Sequence, residues 1–213
     1  MPQRFPLILN PKAKSERAKK AFQFVMENAT RFAIYATNTA EEAQELVGKF
    51  AQENEPVVVA AGGDGTLNAV VRGLAGTETT LGILPTGTMN VFAREMGIPF
   101  DQLRRALDVI DEGNVQEVDL FEVNKIPFVQ MAGVGFDAQV IEETSREAKK
   151  ALGPLAYLVA AMKVLGEKPP KTTVYFEEGF QAEGVAVLLG NGSLYGGQFR
   201  LFRKADNADD LLD

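Results

Sequence analysis

The chain has 213 residues, a net charge of −7 and 46% apolar residues, enough to bury a core in one large or two small domains. It has no cysteine and no histidine, which excludes disulfides, histidine-ligated zinc and histidine-dependent triads. The acidic balance argues against nucleic acid as a partner. The longest apolar run, 152–162, is too short to cross a bilayer and no signal-peptide pattern is present, so we expect a cytoplasmic protein, peripheral membrane contact remaining open.

Short β-like runs alternate with helical patterns through the first half of the chain. Thr39 and Glu42 have the spacing of a capping box at the start of the second helix. The predicted strands are 7–9, 32–36, 57–61 and 81–84, and the predicted helices are 15–27, 39 onward, 67–74, 90–96 and one that Asp101 caps and that ends near 110. Four successive β-α units predict an open parallel sheet that binds ligands at the carboxyl ends of its strands.

The pattern changes after Gly113, where most segments are strand-like and are joined by turn residues. One long helical insertion is predicted over 138–166. We therefore expect an α/β domain over residues 1–116 and a β-rich domain over residues 117–213, with the boundary near 113–118.

The stretch "AAGGDGTLN" (60–68) joins a predicted strand to a predicted helix through three glycines. Such a turn presents free N–H groups and the positive end of the helix dipole at one point, which favours a phosphate. The carboxylate of Asp64 would repel that phosphate unless a divalent cation lies between them, and Mg²⁺ is the natural choice. On spacing alone, a glycine turn needed only for helix packing, with Asp64 as its cap, stays open.

A second turn, Pro85-Thr86-Gly87-Thr88, repeats the same strand, turn and helix pattern one unit later. Two neighbouring turns of this kind can direct two helix N-termini into one crevice.

Two further motifs are weaker. The run 133–138 matches a dinucleotide fingerprint, but no acidic residue ends a second strand about 20 positions later. The segment 145–171 is basic and apolar; it is either a packed helix with a solvated basic face or an interfacial helix at an anionic membrane.

Several motifs together resemble the diacylglycerol kinase catalytic-domain family, which includes bacterial lipid kinases and the sphingosine and ceramide kinases. These motifs, in the family's order, are "GGDGT" (62–66), "LPTGTMNVFARE" (84–95), "VD" (118–119), "AGVGFDA" (132–138), "GNGSLYGGQF" (190–199) and "KADNADDLLD" (204–213). The resemblance implies an NAD kinase-like, Rossmann-like nucleotide domain and a β-sandwich-like second domain, with ATP and the lipid meeting between them. It implies an ATP- and Mg²⁺-dependent kinase of diacylglycerol or a related lipid at a membrane surface.

The resemblance also implies roles for individual residues. Asp64 and Asp119 would be the catalytic carboxylates that organise Mg²⁺ and water. The nucleotide would be held by Asn10, Thr37, Gly62, Gly63, Asp64, Gly65, Thr66, Asn68, Gly87 and Thr88. Asp209 and Leu211 lie in a stretch that binds a structural Mg²⁺ in bacterial relatives.

The sequence departs from the family pattern in three places. Val91 replaces an aspartate, and Asp210 replaces a glycine. Relatives continue beyond the last motif and carry their general base there, so we expect a truncated second domain. A non-catalytic nucleotide- or lipid-binding module and an NAD kinase-like enzyme stay open as alternatives, although the run 85–90 has the lipid-kinase form. A homodimer also stays open.

Overall fold

The computed structural model describes residues 4–11, 16–144, 155–166, 171–177 and 179–213. The chain forms two compact units. The first unit comprises Met1–Gln130 with Asn191–Asp213, and the second comprises Met131–Gly190. The expected boundary between residues 116 and 117 stays a prediction.

The strands and helices alternate through the first half of the chain, as predicted. The strands are β1 (Phe5–Leu9), β2 (Phe32–Ala36), β3 (Val57–Gly62), β4 (Thr80–Pro85), β5 (Phe121–Val123), β6 (Ile126–Phe128), β7 (Met131–Gly135), β8 (Thr172–Tyr175), β9 (Gln181–Gly184), β10 (Ala186–Gly190), β11 (Leu194–Tyr195) and β12 (Phe199–Arg200). The helices are α1 (Glu16–Glu27), α2 (Ala40–Gln52), α3 (Asp64–Leu74), α4 (Val91–Glu95), α5 (Leu103–Glu112), α6 (Phe136–Glu143) and α7 (Leu155–Gly166).

The first unit is built on a four-stranded parallel sheet with the order β2-β1-β3-β4. Successive side chains of a strand point to opposite faces, so each strand supplies two cores. Leu7 and Leu9 pack on one face with residues of α1 and α5. Ile8 packs on the other face with residues of α2 and α3. The run of valines in β3 is therefore buried on both sides, as the sequence predicts.

Local hydrogen bonds explain where the second helix begins. Thr39 caps α2, because its Oγ1 accepts the N–H of Glu42 at 3.1 Å. Oε2 of Glu42 in turn accepts the N–H of Asn38 at 2.7 Å. The predicted cap at Thr39 is confirmed, and Glu42 reaches back to the residue before the N-cap rather than to Thr39 itself. The expected cap at Asp101 is wrong, because α5 begins one residue later than that cap requires and has Gln102 at its N-cap.

All four strands of the sheet end at the same edge. Leu9 pairs with Ala36 and with Ala61, and Gly62 pairs with Pro85. The residues that follow the strands therefore lie side by side along the carboxyl edge of the sheet, where ligands bind in folds of this kind.

The second unit is rich in short antiparallel strands. β7 pairs with β10 and β8 pairs with β9, whereas a dinucleotide-binding fingerprint at 133–138 would require a parallel sheet. The expected single helix over 138–166 is wrong, because α6 ends at Glu143 and Thr144 has an extended conformation. α6 and α7 pack through Val140, Ala160 and Val164.

Among the residues that the structure describes, no helix has the length and apolar character needed to cross a membrane.

Candidate functional site

The two glycine turns are in contact at the carboxyl edge of the sheet. A Cβ atom on Gly87 would lie 2.4 Å from the Cα atom of Gly63, and a Cβ atom on Gly63 would lie 2.9 Å from the Cα atom of Gly87. The N–H of Thr86 also donates to the carbonyl of Gly62 at 2.8 Å. The turns therefore converge on one place, and their approach requires that neither residue has a side chain.

The helix that follows the first turn, α3, has no side-chain cap at its N-terminus. α3 begins at Asp64, three residues earlier than predicted, and its N-cap residue Gly63 has no side chain to cap it. Within the described residues, the N–H groups of Asp64, Gly65 and Thr66 have no hydrogen-bond acceptor. Free N–H groups of a first helical turn, together with the helix dipole, make an anion-binding position.

Gly62 and Gly65 of this first turn differ in how far the surrounding protein requires glycine. A Cβ atom on Gly62 would lie 2.3 to 2.7 Å from the side-chain atoms of Thr66, so residue 62 must be glycine for Thr66 to fit. A Cβ atom on Gly65 would meet nothing within 4 Å. The contacts within the protein do not require glycine at position 65, and the open space beside it is compatible with the approach of a ligand.

We expect Gly65→Ala to fold at least as well as the wild type but to bind ATP about tenfold more weakly or worse. Alanine stabilises a helix by up to about 1 kcal/mol relative to glycine, while its methyl group would occupy the open space beside the free N–H groups. Urea denaturation and isothermal titration calorimetry measure the two effects. Gly48→Ala in α2 is the matched control, because its Cβ would make only an ordinary 3.8 Å contact. Unchanged ATP affinity in Gly65→Ala would contradict a ligand at this position.

Asp64 joins the two turns. Its Oδ1 accepts the N–H of Val91 at 2.7 Å, so the same carboxylate starts α3 and caps α4. No donor to its Oδ2 is present among the described residues. Mg²⁺ bound to phosphates needs only one or two carboxylates from the protein. The free oxygen of Asp64 therefore fits the metal that the resemblance implies.

The second turn is held by Asn90, which is 3% exposed and has a left-handed φ of 48°. Its Oδ1 accepts the N–H of Gly87 and its Nδ2 donates to the carbonyl of Gly87, both at 2.9 Å. Asparagine tolerates the left-handed region better than most residues. The side chain of Asn90 thus closes the turn that carries Gly87 and Thr88.

Three other candidate residues lie close to the turns in the fold. Asn10 and Thr37 directly follow β1 and β2, whose ends are level with that of β3. Thr37 is 4% exposed, and its N–H donates to the carbonyl of Leu9 at 2.9 Å. Asn68 lies four residues after Asp64 on α3, and therefore on the same side of that helix.

Asp119 has a different set of contacts. Its Oδ2 accepts the N–H of Asp210 at 2.7 Å, and its own N–H donates to the carbonyl of Asn207 at 2.8 Å. Nδ2 of the buried Asn191 donates to its carbonyl at 2.9 Å. No hydrogen bond among the described residues links Asp119 to Asp64. Its catalytic role stays a prediction.

The expected metal-binding stretch forms local turns. Oδ1 of Asp209 accepts the N–H of Leu211 at 3.0 Å. Asp210 has a left-handed φ of 59°, a conformation that glycine adopts freely, which explains why the family has glycine there. No group of three or more His, Cys, Asp or Glu side chains in the described ranges could hold a metal ion. The structural Mg²⁺ at Asp209 and Leu211 stays a prediction.

Sequence reasoning missed Glu95, the last residue of α4. Its Oε2 accepts Nε2 of Gln130 at 2.9 Å and the N–H of Leu194 at 2.8 Å, and its Oε1 accepts Oγ of Ser193 at 2.8 Å. Burial by itself raises the pKa of Glu95, but the hydrogen bonds from Gln130, Leu194 and Ser193 outweigh it and hold the pKa below its usual range. No local pattern could reveal this role, because the partners are 35 to 99 residues away.

We expect Glu95→Gln to lower the free energy of unfolding at pH 7 by about 2 kcal/mol, because charge-assisted hydrogen bonds are lost. A folded-state pKa below the unfolded value of about 4.3 gives a stabilisation that is present above that pH and disappears as the pH falls through the folded pKa. The difference in Tm between wild type and variant should therefore shrink between pH 5 and pH 3. Glu122→Gln, at an exposed position on β5, is the control. A Tm difference that does not change with pH would contradict this role.

The geometry defines an α/β domain with two glycine turns in contact at the carboxyl edge of its parallel sheet, and comparison with known proteins specifies it further. The sequence profile described as "Diacylglycerol kinase catalytic domain" matches residues 4–123. The chain belongs to the diacylglycerol kinase catalytic-domain family.

Known relatives cover most of this chain. The protein named "Diacylglycerol kinase" in Staphylococcus saprophyticus is 34% identical over 198 residues, which is 89% of this chain and 65% of the relative. The protein named "Probable lipid kinase YegS" in Escherichia fergusonii is 34% identical over 97% of this chain and 71% of the relative. The chain therefore spans about two thirds of the length of these relatives.

Solved structures agree with these relatives. A crystal structure of a diacylglycerol kinase from Bacillus anthracis has a TM-score of 0.75 and 28% identity, covering 98% of this chain and 73% of the other. The predicted fold class is confirmed: a parallel-sheet, NAD kinase-like α/β domain with a β-rich C-terminal region.

Proposed function

We propose that this chain is the catalytic part of an ATP-dependent lipid kinase that transfers the γ-phosphoryl group to a hydroxyl of diacylglycerol or a related lipid. The contact between the two glycine turns, with Asp64 bridging them, carries this proposal. The names of the relatives support diacylglycerol as the first substrate to test.

The residues of the site would act by positioning and charge neutralisation. The N–H groups of residues 64–66 would hold phosphate oxygens, and Asn10 and Thr37 would bind the nucleotide beside them. When bound, Mg²⁺ would neutralise charge on the phosphates, and Asp64 would hold it. We assign no proton transfer to residues of this chain. Phosphoryl transfer depends mainly on placing the acceptor in line with the phosphate and on neutralising charge, which these groups supply.

A labelling experiment tests the function. The full-length protein is incubated with labelled ATP, Mg²⁺ and mixed micelles that contain diacylglycerol, sphingosine or ceramide, and separately with NAD without lipid. We expect label in the phosphorylated diacylglycerol. Label in phosphorylated NAD alone would indicate a soluble-dinucleotide kinase, and ATP binding without any labelled product would indicate a non-catalytic binding module.

A lipid substrate requires access to a membrane surface, and α7 is our candidate for that contact. Val159, Met162 and Leu165 are 56%, 67% and 63% exposed and recur every three residues along this helix. Of the basic segment 145–171, only α7 and Lys171 belong to the described residues. Exposed apolar side chains within a basic segment suit an anionic membrane surface.

We expect the protein to sediment with liposomes that contain anionic phospholipid and to bind neutral liposomes several-fold more weakly. Met162→Ser combined with Leu165→Ser should reduce that binding, because it removes the exposed apolar groups. Val115→Ser, which replaces another exposed apolar residue outside this helix, is the control. Equal, negligible sedimentation with both liposomes would contradict membrane docking.

A further inference from the structure

Asn191 is a buried polar residue that the proposed function does not use. It directly follows β10 and belongs to the first unit. No part of the residue is exposed to solvent. Its N–H donates to the carbonyl of Gln130 at 2.9 Å, so the backbone of Asn191 is held independently of its side chain.

The side chain of Asn191 binds two backbone carbonyls. Nδ2 donates to the carbonyl of Asp119 at 2.9 Å and to the carbonyl of Val129 at 2.8 Å. These two bonds use both hydrogens of the amide, and because both partners are acceptors, the nitrogen and not the oxygen must face them. Asp119 precedes the β5–β6 hairpin and Val129 follows it. Asn191 therefore links the two ends of this hairpin.

The amide oxygen of Asn191 has no such role. No donor to Oδ1 is present among the described residues, although this atom is buried. A buried acceptor without a donor lowers stability, and an apolar side chain of similar size would avoid that loss. Asparagine at position 191 thus costs stability at its oxygen and supplies two donors at its nitrogen.

Asp119, one of the two residues that receive these donors, is held at three atoms. Its carbonyl is bound by Asn191, its N–H donates to the carbonyl of Asn207 at 2.8 Å, and its Oδ2 accepts the N–H of Asp210 at 2.7 Å. No donor to its Oδ1 is present in the part of the chain that the structure describes. A carboxylate with one free oxygen, on a residue whose other polar atoms are held, is preorganised to bind a cation or a water molecule.

We propose that Asn191 is a positioning residue for Asp119. It holds the backbone of Asp119 through the carbonyl, so that the free Oδ1 keeps one direction. Because Asn191 is completely buried, it does not itself touch a substrate or a metal. The catalytic part of this inference rests on the proposed function, in which Asp119 organises Mg²⁺ and water. The placement of the Asp119 backbone rests on the hydrogen bonds alone.

Kinetics of Asn191 variants test this proposal. Asn191→Leu keeps the approximate size of the side chain and removes both donors. Asn191→Ser is a smaller change that keeps a hydroxyl donor, and it serves as the test if the leucine variant does not fold. The kcat, the KM for diacylglycerol in micelles and the Mg²⁺ concentration that gives half the maximal rate are measured with labelled ATP. Val47→Ala is the control for lost stability, because it opens a cavity in the core beside α2, away from Asp119.

We expect Asn191→Leu to lower kcat about ten- to hundredfold and to change the KM for diacylglycerol less than about threefold, as displacement of a catalytic group predicts. The Mg²⁺ concentration for half the maximal rate should rise. Asn191→Ser should show the same changes to a smaller extent, and Val47→Ala should lower only the Tm. Wild-type kcat and Mg²⁺ dependence in both Asn191 variants would overturn the proposal. Equal losses in Val47→Ala would also do so, because they would indicate an effect of stability alone.

A double-mutant cycle separates positioning from a general structural effect. If Asn191 acts through Asp119, then Asn191→Leu should lower kcat much less in an Asp119→Asn background than in the wild type. The same fold-loss in both backgrounds would contradict the proposal, because the effect of Asn191 would then not depend on the Asp119 carboxylate.

Failure of this inference can be distinguished from failure of the proposed function by amide NMR without ATP or lipid. The N–H of Asp210 donates to the Asp119 carboxylate, so its resonance reports movement of that side chain. It should move in Asn191→Leu and stay in place in Val47→Ala. Lipid phosphorylation with an unmoved resonance and unchanged kcat in Asn191→Leu would overturn only the inference. A moved resonance without phosphorylation of any lipid by the wild type would overturn the kinase activity and support the placement of Asp119 by Asn191.

Discussion

Asp64→Asn is expected to reduce the rate of phosphoryl transfer about a hundred- to thousandfold while leaving the fold intact. Asparagine keeps an oxygen that can accept the N–H of Val91, which Asp64 accepts at 2.7 Å. The substitution removes only the negative charge, and this charge is what a phosphate-bound Mg²⁺ requires. The variant therefore separates the structural role of the side chain from its chemical one.

The rate is measured by transfer of labelled phosphate at saturating ATP, and the fold by the Tm. Asp108→Asn is the control, since it removes one charge from a side chain that is 54% exposed on α5. Asp64→Ala should lose both roles and show a lower Tm as well. Turnover of Asp64→Asn near that of the wild type would refute the assignment of this carboxylate to the metal.

Gly87→Ala is expected to abolish ATP binding and to lower the free energy of unfolding by about 1–3 kcal/mol, the usual effect of overpacking. The added Cβ would lie 2.4 Å from the Cα atom of Gly63 and 2.7 Å from Oδ1 of Asn90. Gly63 offers only backbone at this contact and Asn90 is buried, so neither can move aside without separating the two turns. The backbone N–H groups that we expect to bind phosphate would then no longer be held beside the second turn.

Calorimetric titration with ATP and urea denaturation measure the two effects of Gly87→Ala. Gly65→Ala is the informative comparison, because it adds the same methyl group to the same site, where the new Cβ would meet nothing within 4 Å beyond its own helix. Gly65→Ala should bind ATP weakly and Gly87→Ala should not bind it, but only Gly87→Ala should be destabilised. Wild-type stability in Gly87→Ala would show that the two turns are free to separate.

Most of the fold that positions the site could be predicted from local sequence patterns. Alternating strand and helix signals give the parallel sheet, and the capping box locates the start of α2 to within a residue. The ends of the strands then bring Asn10, Thr37 and the glycine turns to one edge. These features are predictable because each depends on residues that are neighbours in sequence.

Other features depend on contacts that no local pattern contains. The sequence predicts a loop up to Leu67, yet α3 already begins at Asp64, and the carboxylate of Asp64 accepts the N–H of Val91, a contact that no local pattern contains. The predicted long helix ends instead at Glu143. Glu95 gains its role from donors at Gln130, Ser193 and Leu194, which only the folded chain brings together.

At position 91, the hydrogen bond to Asp64 is kept although the side chain differs from that of the family. The family places an acid there and this chain places valine, yet what Asp64 uses is the backbone N–H, which nineteen of the twenty amino acids supply. Only proline lacks it, although proline otherwise suits the first residue of a helix. In a mutational scan of position 91, almost any side chain should therefore be tolerated, and only proline should be rejected.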